Sequence, residues 1–290
     1  GSKRAGIRYI IMHLLGGIIL KVGIEGVVVH TGSIDIQPML AANFDTWMIL
    51  IGILINAAAP PLSAWLADAY PESSPTGSVF LSAFTTKTAV YVLARGFPGF
   101  EALAVLGAIM TVYGVGYAAI ENDARRILAY HIVSQVGYMV CGVGIGTAMA
   151  VNGAVSHAYA HIIYKALLFM GAGAVLEMTG ISKLNELGGL YRRMPLAMIF
   201  TVIGGISISG FPLTSGFVSK SMIIAAAGES HRIGLLLMMT LAAVGTFLSV
   251  GIKLPYFIWF GKDSGVEAKD APWNMNLAMG IAAFLCFFIG

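Results

Sequence analysis

Charged residues are scarce in this chain: Asp, Glu, Lys and Arg make up 11% of its 290 residues. Soluble globular domains carry about 25% charged residues, so the composition excludes an ordinary soluble fold. There are two cysteines, Cys141 and Cys286, and neither belongs to a Cys-x-x-Cys, haem-attachment or iron–sulfur spacing. We therefore expect that the chain carries no electrons itself and holds no cofactor.

Other absences narrow the function further. The net charge of +3 is too small to indicate a nucleic-acid partner, and no basic cluster alternates with aromatic residues. No nucleophile–base pair, phosphate-binding loop or acidic cluster indicates hydrolysis. We expect no catalytic residue in the chain, and the sequence leaves open whether it belongs to an enzyme complex.

Apolar residues, in contrast, are abundant: they make up 58% of the chain, and the mean hydropathy is +0.84. At roughly 20 residues per crossing, a chain of this length forms about nine or ten membrane spans. No segment alternates as a strand does, so we predict an all-α, polytopic transmembrane bundle in one domain over residues 1–290. The expected helices are Tyr9–Val29, Trp47–Leu66, Val79–Ala94, Leu103–Ile120, Ile127–Gly146, Ala148–Met178, Pro195–Ser209, Gly216–Ala227, Ile233–Ile252 and Asn276–Gly290.

Lys and Arg in short loops predict orientation, because they accumulate on the cytoplasmic side of a membrane. If each apolar run crosses once, the N-terminal side collects Lys3, Arg4, Arg8, Arg125, Arg126, Lys183, Arg192, Arg193 and Arg232. The other side collects Arg95, Lys253, Lys262 and Lys269. Nine basic residues on the N-terminal side against four on the other place the N-terminus in the cytoplasm, and we expect the chain to lie in the plasma membrane.

Two apolar runs contain residues that interrupt helices. Residues 55–66 contain a Pro-Pro pair, and residues 208–218 contain Gly-x-Pro. Interrupted helices at corresponding positions of two halves mark ion sites in transporters, whereas a packing kink or a short loop is the plainer alternative. Asn56 and Lys220 lie beside the two breaks, which favours the ion site.

Three lysines, Lys87, Lys165 and Lys220, lie inside apolar runs, where a charge costs about 2.5–3.5 kcal/mol or more. His157, His161 and Lys165 recur every fourth residue, which places them in one polar stripe on a helix. With water between its members such a stripe can pass protons, and an interhelical hydrogen bond is the simpler alternative. His-x-x-x-His also occurs in zinc sites, but no carboxylate is close in sequence, so we expect no metal.

Four segments carry a family resemblance. Pro61–Arg95 contains Pro-Leu-x-x-Trp-Leu-Ala-Asp-Ala, and Asn122–Tyr138 contains Asp-x-Arg-Arg-x-x-Ala-Tyr. His157–Met170 contains the stripe, and Gly210–Lys220 contains the second break. In this order they resemble the antiporter-like membrane subunits: the D subunit, and part of the A subunit, of Mrp-type cation/proton antiporters, and the homologous proton-pumping subunits of respiratory complex I.

The resemblance implies a fold of fourteen helices in two inverted repeats, each with a discontinuous helix, of which this chain would be the part from about the sixth helix onward. It implies that Lys87 joins two half-channels and that Lys220 is the lysine on the exit side. It also implies, as partners, the other membrane subunits of an Mrp-type or complex I-like assembly, the lipid bilayer, H⁺, and Na⁺ or K⁺.

The sequence departs from the family at the first break. The family's lysine there falls at Asn56, which cannot carry a proton, and the glutamate that pairs with it is expected before residue 1. Ala67 replaces the proline of the family's Trp-Leu-Pro-Asp run. His131 follows Tyr130 where the family has a serine, and we expect it to substitute in part for the missing charge.

Three functions follow as hypotheses. The first is a subunit that translocates protons or cations through buried Lys, His and water, in an antiporter or an NADH:quinone oxidoreductase-like complex. The second is a non-conducting structural subunit, which Asn56 favours because part of the proton path is lost. The third is a stand-alone transporter of an organic substrate, for which the sequence offers no binding-pocket signature.

Overall fold

The computed structural model describes residues 1–39 and 41–290, and those residues form α-helices with no β-strand among them. The helices are α1 (Ser2–Thr31), α2 (Phe44–Asn56), α3 (Ala64–Glu72), α4 (Pro75–Gly96), α5 (Glu101–Ile120), α6 (Ala124–Ile145), α7 (Ala148–Thr179), α8 (Pro195–Ser209), α9 (Ser215–Glu229), α10 (Ile233–Thr246) and α11 (Trp273–Phe288). The predicted all-α class is confirmed.

Six stretches of the described residues are long and apolar enough to cross a membrane: α1, α4, α5, α6, α7 and residues 233–260, which begin with α10. Their outer faces are apolar, and α1 exposes Ile10, Leu14 and Ile18 by more than half. An apolar outer surface suits a lipid environment, so the chain is a membrane protein. The expected nine or ten crossings and the fourteen-helix repeat stay predictions.

The first predicted break divides one expected helix into two. The run expected as Trp47–Leu66 leaves the helical conformation after Asn56 and resumes it at Ala64. Pro60 and Pro61 fall between the two helices, and a proline has no backbone N–H to continue the hydrogen-bond ladder. The expected single helix was therefore wrong, whereas the interruption within it is confirmed.

The second predicted break separates α8 from α9. The chain leaves α8 at Gly210, whose φ of 77° is open to glycine and costs other residues about 1–2 kcal/mol. Pro212 follows, and helical structure resumes at Ser215. Farther along, the helix expected to end at Ile252 continues beyond it, through π-helical turns as far as Phe260.

The start of α6 also positions α4. The Asp123 carboxylate accepts from the backbone N–H groups of Arg125 and Arg126, which fixes the first turn of α6. The buried Arg125 guanidinium donates to the carbonyls of Pro71 and Ser73, at 2.7 and 2.8 Å. Because these carbonyls end α3 and precede α4, one arginine holds three helix ends together.

Glycines allow α5 and α6 to approach closely. A Cβ atom on Gly107 would lie 2.2 Å from the backbone nitrogen of Cys141, and one on Gly144 would lie 2.0 Å from that of Ala104. No side chain fits at such distances, so these positions need glycine. The Gly-Val-Gly-Ile-Gly run that ends α6 is thus a packing surface, of the kind common between membrane helices.

Polar contacts show which loops share the side of the N-terminus. The Lys253 ammonium donates to the carbonyls of Ala119 and Glu121, at the end of α5. Partial burial opposes ionisation of Glu121, but the Asn122 and Asp123 N–H groups and Arg126 outweigh it and lower the Glu121 pKa. The Arg193 guanidinium, 2.8 Å from Asp263, ties the α7–α8 linker to the segment after Phe260 and lowers the Asp263 pKa.

The predicted side was wrong for four basic residues: Arg232, Lys253, Lys262 and Lys269. Arg232 pairs with Glu101 at the start of α5, which is the opposite end of the bundle. The error arose because α8 and α9 were counted as two crossings, whereas together they run from the α7–α8 linker to Arg232. When Arg232 is assigned to the opposite side and the three lysines to the N-terminal side, the count of Lys and Arg changes from nine and four to eleven on the N-terminal side and two on the other.

Candidate functional site

The polar stripe predicted on α7 is buried. His157, His161 and Lys165 have 0% of their surface exposed. Because α7 packs against α4, α6, α8, α9 and α11, the stripe faces the interior of the bundle. The ring centroids of His157 and His161 lie 6.4 Å apart. Neither ring nitrogen of His161 has a hydrogen-bond partner among the described residues, so a proton moving between the two rings needs an intervening water or side chain.

His157 is held by hydrogen bonds on both ring nitrogens. Its Nδ1 lies 2.9 Å from the Ser219 hydroxyl, which itself donates to the Ser215 carbonyl. A hydroxyl can donate or accept, so Ser219 satisfies Nδ1 whether or not that nitrogen carries a hydrogen. On the other side, Nε2 lies 3.2 Å from Gln135 Oε1 and 3.3 Å from the Tyr164 hydroxyl.

The contacts satisfy His157 in both its charged and its neutral form. In the imidazolium form Nε2–H donates to Gln135 Oε1, and both ring nitrogens are satisfied. In the neutral form with its hydrogen on Nε2, the ring keeps the bond to Gln135 Oε1. In the other neutral form, Nε2 bears a lone pair that accepts from the Tyr164 hydroxyl, or from the Gln135 amide when that amide turns over. The Gln135 Nε2 group is buried and without a partner among the described residues, so it is available for that exchange.

Lys220 joins the second break to the stripe. Its ammonium donates to the Ile208 carbonyl at 2.7 Å, in the last turn of α8, where the break leaves carbonyls without helical partners. The same nitrogen lies 5.1 Å from the centre of the Tyr138 ring, and that ring lies 5.9 Å from His157. One aromatic ring therefore separates Lys220 from the stripe.

The other two lysines lie on either side of the α4–α7 contact. Lys87 on α4 donates to the Ser82 carbonyl at 2.5 Å and to the Thr86 hydroxyl at 3.2 Å. Lys165 on α7 is fully buried, and its ammonium has no hydrogen-bond partner among the described residues. Within 4.0 Å, no described Asp or Glu forms an ion pair with Lys87, Lys165 or Lys220.

The remaining two candidates lie away from this group. Asn56 is the last residue of α2, and its buried Oδ1 has no partner in the described part of the chain. His131 on α6 is buried, with Nε2 2.7 Å from the Ser249 hydroxyl. The structure therefore brings Lys220 close to the α7 stripe, which includes Lys165, and leaves Asn56 and His131 on neighbouring helices. Among the described residues, no group of three His, Cys, Asp or Glu is arranged to hold a metal ion.

The sequence analysis missed three polar members of this site, Gln135, Tyr138 and Tyr164. A signal for two of them was present, because His131, Gln135 and Tyr138 follow one another at spacings of four and three. Those spacings put polar groups on one face of an apolar helix, as on α7. Tyr164 lies three residues after His161 and so belongs to the face of the predicted stripe.

Comparison with known proteins is decisive at this point. The family model described as NADH:quinone oxidoreductase/Mrp antiporter, TM, matches residues 1–249. The chain belongs to this family. It is 32% identical over 243 residues to the D subunit of a Na(+)/H(+) antiporter of Alkalihalophilus pseudofirmus, covering 77% of this chain and 49% of that protein. It is 34% identical over 252 residues to the L subunit of the F(420)H(2) dehydrogenase of Methanosarcina mazei, covering 79% and 37%.

Solved structures agree with the family. A chain of the Mrp complex from a Dietzia species matches with a TM-score of 0.90 and 25% identity, over 98% of this chain and 64% of that one. A chain of the membrane-bound sulfane sulfur reductase, an archaeal respiratory membrane complex, matches with a TM-score of 0.90 and 26% identity, over 100% and 53%. This antiporter-family chain covers less than two thirds of each of these four proteins.

Proposed function

We propose that this chain translocates protons or cations as a membrane subunit of a multi-subunit antiporter or respiratory-type complex. The observation that carries the proposal is the buried cluster of His157, His161, Lys165 and Lys220 inside apolar helices. Each such group costs several kcal/mol at membrane depth, and intramembrane ionisable residues typically mark ion paths. The family supports the same function, because its description joins a quinone oxidoreductase and an antiporter.

In the proposed path protons move from Lys87 through the α7 stripe to Lys220, with water between the groups. Two unit charges about 6 Å apart repel by about 3 kcal/mol at an effective dielectric constant of about 20. A proton on one group therefore disfavours a proton on the next, and this repulsion couples the groups along the membrane plane. His131 would contribute part of the charge that Asn56 lacks.

We propose that residues 1–290 act as one antiporter-like domain in the plasma membrane, with the N-terminus in the cytoplasm. The loop charges support this orientation, because eleven Lys and Arg lie on the N-terminal side and two on the other. The partners would be other membrane subunits of an Mrp-type or complex I-like assembly, and the ions H⁺ with Na⁺ or K⁺. The solved relatives, which are parts of multi-subunit complexes, support these partners.

One observation favours a second candidate, a structural subunit that does not conduct. Asn56 has no charge at the first break, and its buried Oδ1 lacks a partner among the described residues. A conducting subunit needs a titratable group in that region of the path. In this second candidate the buried lysines would be dispensable for ion movement.

The experiment is proton uptake by membrane vesicles that contain the full complex, are loaded with Na⁺ or K⁺ and are diluted into medium without that cation, so that cation efflux drives protons inward; a pH-sensitive dye measures the uptake. Lys87→Ala and Lys220→Ala are expected to abolish uptake, whereas Lys262→Ala, at an exposed loop position, is expected to retain it. Normal uptake in both buried-lysine variants, with the complex assembled, would refute the relay and favour the structural subunit.

A further inference from the structure

A histidine that the sequence analysis did not single out lies against the first break. The His13 ring on α1 stacks on Tyr9, with centroids 4.0 Å apart, and meets the edge of Trp65 at 4.5 Å. Trp65 begins the helical structure after the break and donates its Nε1–H to the Ile55 carbonyl at 3.1 Å. One indole therefore lies between the His13 imidazole and the last turn of α2, where Asn56 is the next residue.

The proton state of His13 follows from its neighbours. Nδ1 lies 2.9 Å from the Tyr9 carbonyl, which can only accept, so Nδ1 carries a hydrogen in both the neutral and the charged ring. Nε2 is buried and has no hydrogen-bond partner among the described residues. The neutral ring therefore holds a free lone pair at Nε2, which can take up one proton.

A cavity of about 210 Å³ lies between α1 and the first break, and it is lined by neighbours of His13 rather than by His13 itself. Met12, which precedes His13 in the chain, and Trp65, which contacts the His13 ring, both line the cavity. Pro61 of the break lines it as well. The charged groups at the cavity are Arg8 and Asp68, paired at 2.9 Å. Both lie toward the N-terminal side of the bundle, so water from that side can enter the cavity and reach the Trp65 indole against which His13 packs.

Contacts also lead from Trp65 toward Lys87. The Trp65 and Tyr70 rings lie 6.1 Å apart, and the Tyr70 hydroxyl donates to the Leu81 carbonyl of α4 at 2.9 Å. Lys87 donates to the carbonyl of the next residue, Ser82. The aromatic cluster of Tyr9, His13, Trp65 and Tyr70 thus runs from the cavity to the turn of α4 that binds the Lys87 ammonium.

We propose that His13 is the titratable group of the first break, standing in for the charge that Asn56 does not have. His13 Nε2 takes a proton from water that enters by way of the cavity, and the imidazolium returns that proton to water or passes it on toward Lys87. This inference rests on the proposed function, because it assigns His13 a place on the entry side of the same path.

The test is proton uptake by vesicles that contain the full complex, measured as a function of pH. His13→Gln keeps an N–H donor for the Tyr9 carbonyl but cannot titrate, and His13→Phe keeps the ring packing in case the first variant does not assemble. The expected loss of uptake is on the order of 100-fold, the contribution of one positioned proton-transfer group. His30→Gln, at an exposed histidine of the same helix, is the matched control and is expected to leave uptake unchanged.

Rescue separates a proton-carrying role from a packing role. Asn56→Lys combined with His13→Gln is expected to restore uptake and to move its pH profile, because a lysine then supplies the charge at the break. Loss without rescue, or uptake with an unchanged rate and pH profile in both His13 variants, overturns the inference. When both His13 variants behave as wild type, Lys220→Ala tells the two proposals apart. Loss of uptake in Lys220→Ala would then leave the proposed function standing, whereas normal uptake would refute the proposed function as well.

Discussion

At the scale of single residues, the neighbours of His157 decide where its protons can be. Ser219 satisfies Nδ1 as a donor or as an acceptor, so the partners at Nε2 decide how well each charge state of the ring is stabilised. Gln135 is the one amide at that nitrogen, and an amide can offer either an oxygen or an NH₂ group. The same side chain can therefore satisfy His157 before and after it gains a proton.

Replacing Gln135 by Glu tests this role. The carboxylate would accept from the His157 imidazolium but could not donate to the neutral ring, so the proton would be held on His157. If the new pair favours the charged ring by about 1.4 kcal/mol, proton uptake should slow by about tenfold. Vesicle dye measurements of Gln135→Glu, with the exposed Gln37→Glu as control, check this expectation, and equal rates in the two variants would contradict it.

Sequence reasoning identified the stripe because its spacing of four is a property of one helix. It missed Gln135 and Tyr138 because they belong to α6, and no spacing within α7 tells which helix faces it. It missed His13 for a different reason. His13 becomes a candidate only through its contact with Trp65, beside a break more than forty residues away in the chain. Such contacts depend on tertiary packing alone.

At the scale of helices, different side chains bind the free backbone carbonyls at the two breaks. At the second break the Lys220 ammonium binds the free Ile208 carbonyl, which places a positive charge at the C-terminal end of α8. This arrangement suits the helix dipole, with a stabilisation of about 0.3–1 kcal/mol. At the first break the neutral indole of Trp65 binds the Ile55 carbonyl instead. The contrast agrees with an exit side that depends on lysine and an entry side that needs another charged group.

Helix packing gives a prediction independent of transport. Gly144→Ala places a methyl group 2.0 Å from the Ala104 backbone nitrogen, so α5 and α6 must separate, at a cost of about 1–3 kcal/mol. Gly116→Ala is the matched control on α5, because no heavy atom lies within 4 Å of its new methyl group. Thermal unfolding of the detergent-solubilised complex should show a lower midpoint for Gly144→Ala alone. Equal midpoints would show that α5 and α6 do not pack as described.

The helix interruptions could be predicted from proline and glycine, since these residues act on the local backbone. That α8 and α9 run together from one end of the bundle to the other could not be predicted, because two helices of 15 residues each are individually almost long enough to be counted as spans. The contact between Arg232 and Glu101 resolved the ambiguity, and it joins residues 131 positions apart.

At the scale of the whole molecule, the corrected loop charges give a stronger asymmetry than the sequence suggested. Eleven basic residues against two is the distribution expected when the side that carries them remains in the cytoplasm. In the proposed orientation, the cavity between α1 and the first break lies on the cytoplasmic side and Arg232 on the opposite side.

Single cysteines test this orientation. Ser264→Cys lies in the exposed segment before α11, and Glu229→Cys lies at the end of α9, while the native Cys141 and Cys286 are buried. A membrane-impermeant maleimide should label position 264 from the cytoplasmic side and position 229 from the outside. Labelling of both positions from one side would contradict the single pass of α8 and α9, and exchanged labelling would reverse the assigned orientation.

Conduction through the buried amines is tested most directly by proton uptake in vesicles that contain the full complex with Lys165→Met. Methionine resembles lysine in length and is apolar, so it suits this buried position, which offers the ammonium no hydrogen-bond partner among the described residues. If buried amines carry the protons, uptake should fall on the order of 100-fold while assembly is retained, and Lys183→Met at the surface should behave as wild type. Wild-type uptake in an assembled Lys165→Met complex would contradict conduction through the stripe.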